Sequence, residues 1–125
     1  MRRATLAAAA ALLGLASGQF IAMPAHAQYG AIAWDKETGK QGWSWSQQTQ
    51  ARADEAALSA CGTTGCKVIM RTGRRECAAL ASNEAGKYVG AAARKDRDAA
   101  RLAALANCKK GKAGECTVRV TDCNK

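Results

Sequence analysis

The sequence holds one histidine, His26, and one proline, Pro24, and both fall within its first 27 residues. Past residue 27 there is no imidazole to act as base or metal ligand. A Ser-His-Asp or Cys-His catalytic arrangement therefore cannot be assembled there, and the common zinc ligand sets lose their nitrogen donors. No C-x-x-C pair occurs among the six cysteines, which removes the usual redox and zinc-binding signature. Aromatic residues are only 5% of the chain, and acidic residues number ten against 19 Lys and Arg, a formal net charge of +9. No apolar run after residue 27 approaches the roughly 20 residues a membrane span needs. The adjacent carboxylates Asp54-Glu55 and Asp96/Asp98 stand near expected helix starts, where negative charge suits the dipole. No catalytic residue, metal ligand or cofactor is assigned.

What is present begins with an export signal. Arg2 and Arg3 precede an uncharged run, Ala4 to Ala16, and Ala25-His26-Ala27 fits the small-x-small cleavage rule. Ser17, Gly18, Gln19 and Pro24 interrupt the segment and argue against a membrane anchor. Residues 1–27 are thus expected to be a signal peptide, and the product periplasmic or secreted. Residues 28–125 keep 17 basic and ten acidic residues, a formal net charge of +7. A domain of that size hides roughly 60–65% of its unfolded surface, so cross-links matter. All six cysteines lie in this part, and in a small exported domain they read as disulfides.

The chain is organised around a repeat. Ala56-Ala57-Leu58-Ser59-Ala60-Cys61 returns as Ala103-Ala104-Leu105-Ala106-Asn107-Cys108 at an offset of 47, which also matches Gly39 to Gly86. One offset serving a turn and a helix marks a repeated supersecondary unit. Thr49 and Asp96 are capping residues before helices expected over 50–61 and 97–108. Each helix has a small-residue face: Ala53, Ala56, Ala57, Ala60 and Cys61, next to Leu58, in the first; Ala100, Ala103, Ala104 and Cys108, with Leu102 and Leu105, in the second. Residues 29–35 and 41–46 read as a hairpin, Trp43 and Trp45 alternating with small residues. A two-residue turn would set Trp34 opposite Trp43 and Ile32 opposite Trp45. A three-residue turn would set Ala33 opposite Trp43. Residues 66–71 and 116–121 are third strands, with Val118 and Val120 on one face. Residues 77–81 and 87–93 are poor strand formers and are assigned to a hairpin by the repeat. The expected fold is α+β: two tandem β-β-α-β units, about 29–76 and 77–123 within one domain 28–125, related by a pseudo-two-fold, with alanine-rich helices packed on antiparallel sheet.

The residues Tyr29-Gly30-Ala31-Ile32-Ala33-Trp34, Gly39-x-x-Gly42-Trp43-Ser44-Trp45, Ala56-Ala57-Leu58-x-x-Cys61, Cys66-x-Val68 and Cys77-Ala78-Ala79-Leu80-Ala81 resemble a bacterial exported family, domain of unknown function 4189. The likeness covers residues 29–123. It implies an exported, disulfide-containing repeat domain and supplies no activity. Where such proteins often carry a second aromatic strand, this chain has Val89-Gly90-Ala91-Ala92-Ala93.

Six cysteines allow 15 pairings. Cys61/Cys66 and Cys108/Cys116 each bracket a short helix-to-strand loop and suit local closure. Cys77 and Cys123 would then bridge the repeats. That long loop constrains the unfolded chain most, by about 4 kcal/mol in the chain-entropy account.

Four aromatics, Tyr29, Trp34, Trp43 and Trp45, crowd the first hairpin. The expected role is core, large rings filling space left by alanine helices. The binding alternative is an aromatic platform of Trp34, Trp43 and Trp45 flanked by Lys36, Lys40 and Arg52. The G-x-x-G at 62–65 is explained by its loop, and no nucleic-acid partner is expected. Basic residues cluster at Arg71/Arg74/Arg75, Arg94/Lys95/Arg97 and Lys109/Lys110/Lys112, and their field favours anionic partners. The leading reading is a non-enzymatic interaction domain for an anionic envelope or extracellular ligand or a protein partner. The alternatives are an envelope enzyme acting on cell-wall or glycan substrate, and an inhibitor or immunity-like protein of such an enzyme. Alkylation before reduction should label no thiol, and after reduction all six. Six labelled thiols in the unreduced protein would remove the disulfide reading.

Overall fold

The structure, a computed structural model, describes residues 28–111 and 114–124. The expected signal peptide and Lys112 lie outside the described residues. The element order is β1 (Tyr29–Trp34), β2 (Gln41–Gln47), α1 (Gln50–Cys61), β3 (Lys67–Thr72), β4 (Cys77–Ser82), β5 (Val89–Arg94), α2 (Arg97–Lys109) and β6 (Thr117–Cys123). Two three-stranded antiparallel sheets form, ordered β2-β1-β3 and β5-β4-β6. The topology of the first unit is thus repeated in the second. The Thr49 hydroxyl accepts from the Arg52 N–H, and the Asp96 carboxylate accepts from that of Asp98, capping α1 and α2. Among the described residues, no helix is long and apolar enough to cross a membrane.

The helices cover the outer faces of the sheets, and the inner faces meet. Ala53, Ala57 and Cys61 of α1 are buried against Ala31 and Ala33. Ala100, Ala104 and Cys108 of α2 are buried against Ala79, Ala81 and Ala92. Between the sheets lie Ile32, Ala78 and Leu80, with Trp45, Met70 and Val120 around them. The order of layers is helix, sheet, sheet, helix. Strands β1 and β4 are covered on both faces, and for this reason read as apolar runs without alternation. On α1 the buried seam is narrower than the small-residue face: Ala60 and Leu58 are exposed, as is Leu102 on α2.

The helix faces are small because the strands press close. A Cβ on Gly42 would overlap the Cys61 nitrogen and the Ala57 carbonyl of α1. A Cβ on Gly90 would meet the same two backbone groups, Cys108 and Ala104, of α2. There is no room on this side for indole rings. Gly42 and Ser44 face the helix, with Ser44 Oγ donating to the Ala53 carbonyl at 2.6 Å. Trp43 and Trp45, on the other parity, therefore face away from it. The expected packing of Trp against alanine helices is replaced by Trp on the inter-sheet side.

Three further expectations are corrected. Trp43 pairs with Ile32, and Trp34 with Gln41. The loop has four residues, because Asp35 rather than Glu37 or Thr38 closes it: its N–H donates to the Lys40 carbonyl at 2.8 Å. Val118 and Val120 do not share a face. A bulge at Arg119 pairs Val120 with Leu80 and Val118 with Ala81, neighbours in β4 that point opposite ways. Cys77–Cys123 joins two strands of the second sheet, where those residues are register partners, so it does not bridge the repeats. Cys61–Cys66 and Cys108–Cys116 close the helix exits as expected.

The repeat offset has a structural explanation. Helices correspond at 47 residues, but Gly42 corresponds to Gly90 at 48. The extra residue of the first unit sits in a β-bulge at the end of β2, where Ser46 has φ 53 and its N–H donates to Asn124 Oδ1 at 3.0 Å. Gly42→Ala and Gly90→Ala should each destabilise the fold by about 1–3 kcal/mol, the usual cost of overpacking, measured by urea unfolding. Native-like stability in both would show that strand and helix are not in close contact.

Candidate functional site

The two hairpin turns meet at one pole of the molecule. In the first, the Asp35 carbonyl accepts from the Gly39 N–H at 2.8 Å, and Gly39 takes φ 77. In the second, Asn83 stands where Asp35 does, its Oδ1 accepting from the Tyr88 N–H at 3.1 Å, and Gly86 takes φ 70. The turns touch through these glycines: a Cβ on Gly39 would overlap the Ala85 carbonyl, and one on Gly86 the Gly39 carbonyl. Trp34 Nε1 donates to the Gly86 carbonyl at 2.7 Å, and Lys87 Nζ to the Glu37 carbonyl. These bonds tie unit to unit.

Asp35 organises the first turn from below. Its carboxyl is buried, only 3% exposed, and accepts from the Glu37 N–H and the Thr63 hydroxyl. Thr63 first, then Thr38 and the backbone N–H groups, hold its pKa down from 3.8 to about 2. The turn is thereby fastened to the loop that Cys61–Cys66 closes.

Surface hollows border the turns among the described residues. One, of about 340 Å³, runs between Gln41 and Trp43 of the first sheet and Glu84 and Arg119 of the second unit. A second continues past Arg119 to Glu115 and Thr117. A third lies between Lys36 and Tyr88, beside Glu37 and Lys87. The fourth is apolar, with Trp34 and Ile69 beside Lys36 and Lys67. Lys36, Lys40, Lys67, Lys87 and Arg119 have no carboxylate within ion-pair distance among the described residues. By contrast Arg71, Arg97 and Arg101 are paired, to Asp54, Asp122 and Asp98. The Arg71 guanidinium grips Asp54 by three hydrogen bonds, from Nε to both carboxylate oxygens and from Nη2 to Oδ2. That contact lowers the Asp54 pKa and raises that of Arg71.

The candidate residues separate in space. Trp34, Trp43, Lys36 and Lys40 lie at or beside the pole. Trp43 is 37% exposed, whereas Trp45 is half-buried in the inter-sheet cluster. Arg52 sits in the first turn of α1, at the end of β2 remote from the hairpin turns, next to Gln48. No motif in the sequence marks Arg119, Glu84, Gln41 or Asp35 as functional. Arg119 did leave a trace, as a lone charge between two valines of a β-branched strand. The others depend on which loops converge.

The profile of a family described as domain of unknown function (DUF4189) matches residues 29–123. The uncharacterized protein Rv1813c of Mycobacterium tuberculosis is 44% identical over 68 residues, which cover 54% of this chain and 45% of that protein. Protein Rv1269c of the same species is 41% identical over 56 residues, 45% of this chain and 43% of that protein. The chain thus spans less than half the length of these curated relatives in the matched regions. The NMR structure of Rv1813c superposes with a TM-score of 0.59 at 30% identity, covering 99% of both chains. The chain belongs to the DUF4189 family.

Because the Asp35 pKa is lowered by folding, its carboxylate contributes stability above about pH 4, and this is lost as pH falls toward 2. Asp35→Asn should be less stable than the parent at pH 7, with the gap closing on acidification. Parallel thermal melts from pH 7 to pH 2 check this; a gap that stays constant with pH would remove the role given to the carboxylate.

Proposed function

We propose that this member of the DUF4189 family is an exported, non-catalytic binding module whose ligand face is the pole where the two hairpin turns meet, and whose ligand is anionic. The observation that carries the reading is that Lys36, Lys40, Lys67, Lys87 and Arg119, none in an ion pair among the described residues, stand on or beside hollows at this pole together with Trp34 and Trp43. These cations are exposed, and two of them, Lys87 and Arg119, are held by hydrogen bonds to neutral acceptors; cations without counter-ions favour an incoming anion. The bracing also supports it. The disulfides and the glycine contacts hold the turns on rigid elements, as a preformed binding surface requires.

Catalysis finds less support. A general acid in this setting needs a raised carboxyl pKa, and Asp35 and Asp54 are both lowered by hydrogen bonds. Export rests on the signal-peptide pattern of residues 1–27, and the disulfides agree with an oxidising compartment. Protein recovered from producing cells should begin at Gln28; an intact Met1 would overturn export.

Beads carrying hyaluronan, polyglutamate or phosphatidylglycerol vesicles test the binding reading. At least one should retain the purified protein at low salt and release it at high salt, because exposed charges are screened. The joint replacement Lys36→Gln and Lys40→Gln should weaken retention. No retention on any surface, or retention indifferent to salt, would overturn it.

A further inference from the structure

The pseudo-two-fold relation is broken at the pole in a particular way. Ile32 pairs with Trp43 and Met70, while Leu80 pairs with Ala91 and Val120. Counting from these equivalent pairs sets Trp34 against Ser82, Trp43 against Ala91 and Ile69 against Arg119. In the first unit Trp34 and Ile69 make an apolar hollow. In the second, the small Ser82 leaves space that Arg119 crosses. The groove between the sheets thus takes Trp43 from one unit and Arg119 from the other, and neither has a like residue at its repeat-related position.

Arg119 is exposed but fixed. Its Nε donates to Ser82 Oγ at 2.8 Å, and its Nη2 donates to the Asn83 carbonyl at 3.0 Å and to the Ser82 carbonyl at 3.5 Å. All three acceptors are neutral. No carboxylate pairs with the guanidinium, and Nη1 has no partner, among the described residues. A guanidinium held in place loses little freedom when it grips a carboxylate. The same groove is lined by Trp43, 37% exposed, and by Gln41 and Glu84. Glu84 would repel a bare phosphate or a simple carboxylate, yet its oxygens accept hydrogen bonds from hydroxyl groups. A ligand that suits all four groups carries a carboxylate, several hydroxyls and an apolar ring face. A groove of about 340 Å³ lies at the small end of ligand sites.

We propose that this groove binds a uronic-acid unit of an acidic glycan, its carboxylate on Arg119, its C–H face on Trp43 and its hydroxyls on Glu84 and Gln41. The assignment rests on the reading of the pole as an anion-binding face and narrows it to one ligand class. No bond is made or broken.

A hyaluronan tetrasaccharide is the probe, with neutral chitotetraose and polyglutamate as controls. Titration of the ¹⁵N-labelled protein should shift the Trp43 indole N–H and Arg119 Nε–H signals with the tetrasaccharide. Arg119→Lys, which keeps the charge and loses the fork, should weaken binding roughly tenfold, the usual worth of a charged hydrogen bond. Trp43→Ala should weaken it about fivefold, as loss of an aromatic contact does. Arg52→Gln removes the same charge at a remote place and should leave affinity unchanged. Retained dispersion of the other amide signals shows that each variant is folded. Polyglutamate binding equally tightly with the same shifts, or Arg52→Gln losing as much as Arg119→Lys, would overturn the sugar assignment. Capture of another anion at the pole without the tetrasaccharide also sinks it, yet leaves the anion-binding reading in place. Absence of all anion binding would end both.

Discussion

The contact on which the rest depends is that of a glycine strand against the backbone of a helix. Gly42 rests on the last turn of α1 and Gly90 on the last turn of α2, each against the backbone around a cysteine. At that separation the fully buried side chains between helix and sheet are alanine, cysteine and serine, with larger residues only at the margins. The consequence passes through the strands by parity. Residues one position along from Gly42 point the other way, and it is there that the bulk lies: Ile32, Leu80, Met70, Trp45. Two thin interfaces hold the helices, and one thicker interface joins the sheets. Small outer interfaces bury little area per residue, which explains why each helix exit is also closed by a disulfide.

The units are joined by packing and by hydrogen bonds at opposite ends of the sheets. At the pole, Trp34 reaches the Gly86 carbonyl. At the other end Asn124, 4% exposed, donates to Thr72 Oγ1 and to the Gly73 carbonyl at 2.7 Å and accepts from Ser46. A buried amide with all these partners is costly to leave unpaired, so it fixes the alignment of the two sheets. The third disulfide instead stiffens the edge of the second sheet that carries Asn124. Repetition supplies the scaffold, and departure from repetition supplies the pole. The repeated helix block and the pair Gly42/Gly90 match where helix meets sheet. Where they differ, at Trp34/Ser82, Trp43/Ala91 and Ile69/Arg119, the side chains border the hollows.

Much of this was legible. The repeated Ala-Ala-Leu-x-x-Cys block marks both helices, and Thr49 and Asp96 mark their starts. The β4–β5 hairpin, which alanine propensity hides, follows from the repeat. The local disulfides follow from loop length. The register of the first hairpin was not legible, because it depends on the Asp35 carboxyl finding Thr63 in a loop 28 residues on. Nor was the separation of Val118 from Val120, since a bulge is an event of pairing and leaves the strand's composition unchanged. The same holds for the groove. Gln41, Trp43, Glu84 and Arg119 are distant in sequence and become neighbours only when the sheets stack.

The sequence by itself determined the local units: which segments are helix, where each begins, that the pattern occurs twice, and which short loops the cysteines close. These depend on periodicity and on neighbours a few residues apart. The tertiary structure alone decided which way the tryptophans face, that the sheets are two and back to back, and that Arg119 lies across from Trp43. Those outcomes depend on how closely a glycine allows strand and helix to approach, a distance that no linear pattern encodes.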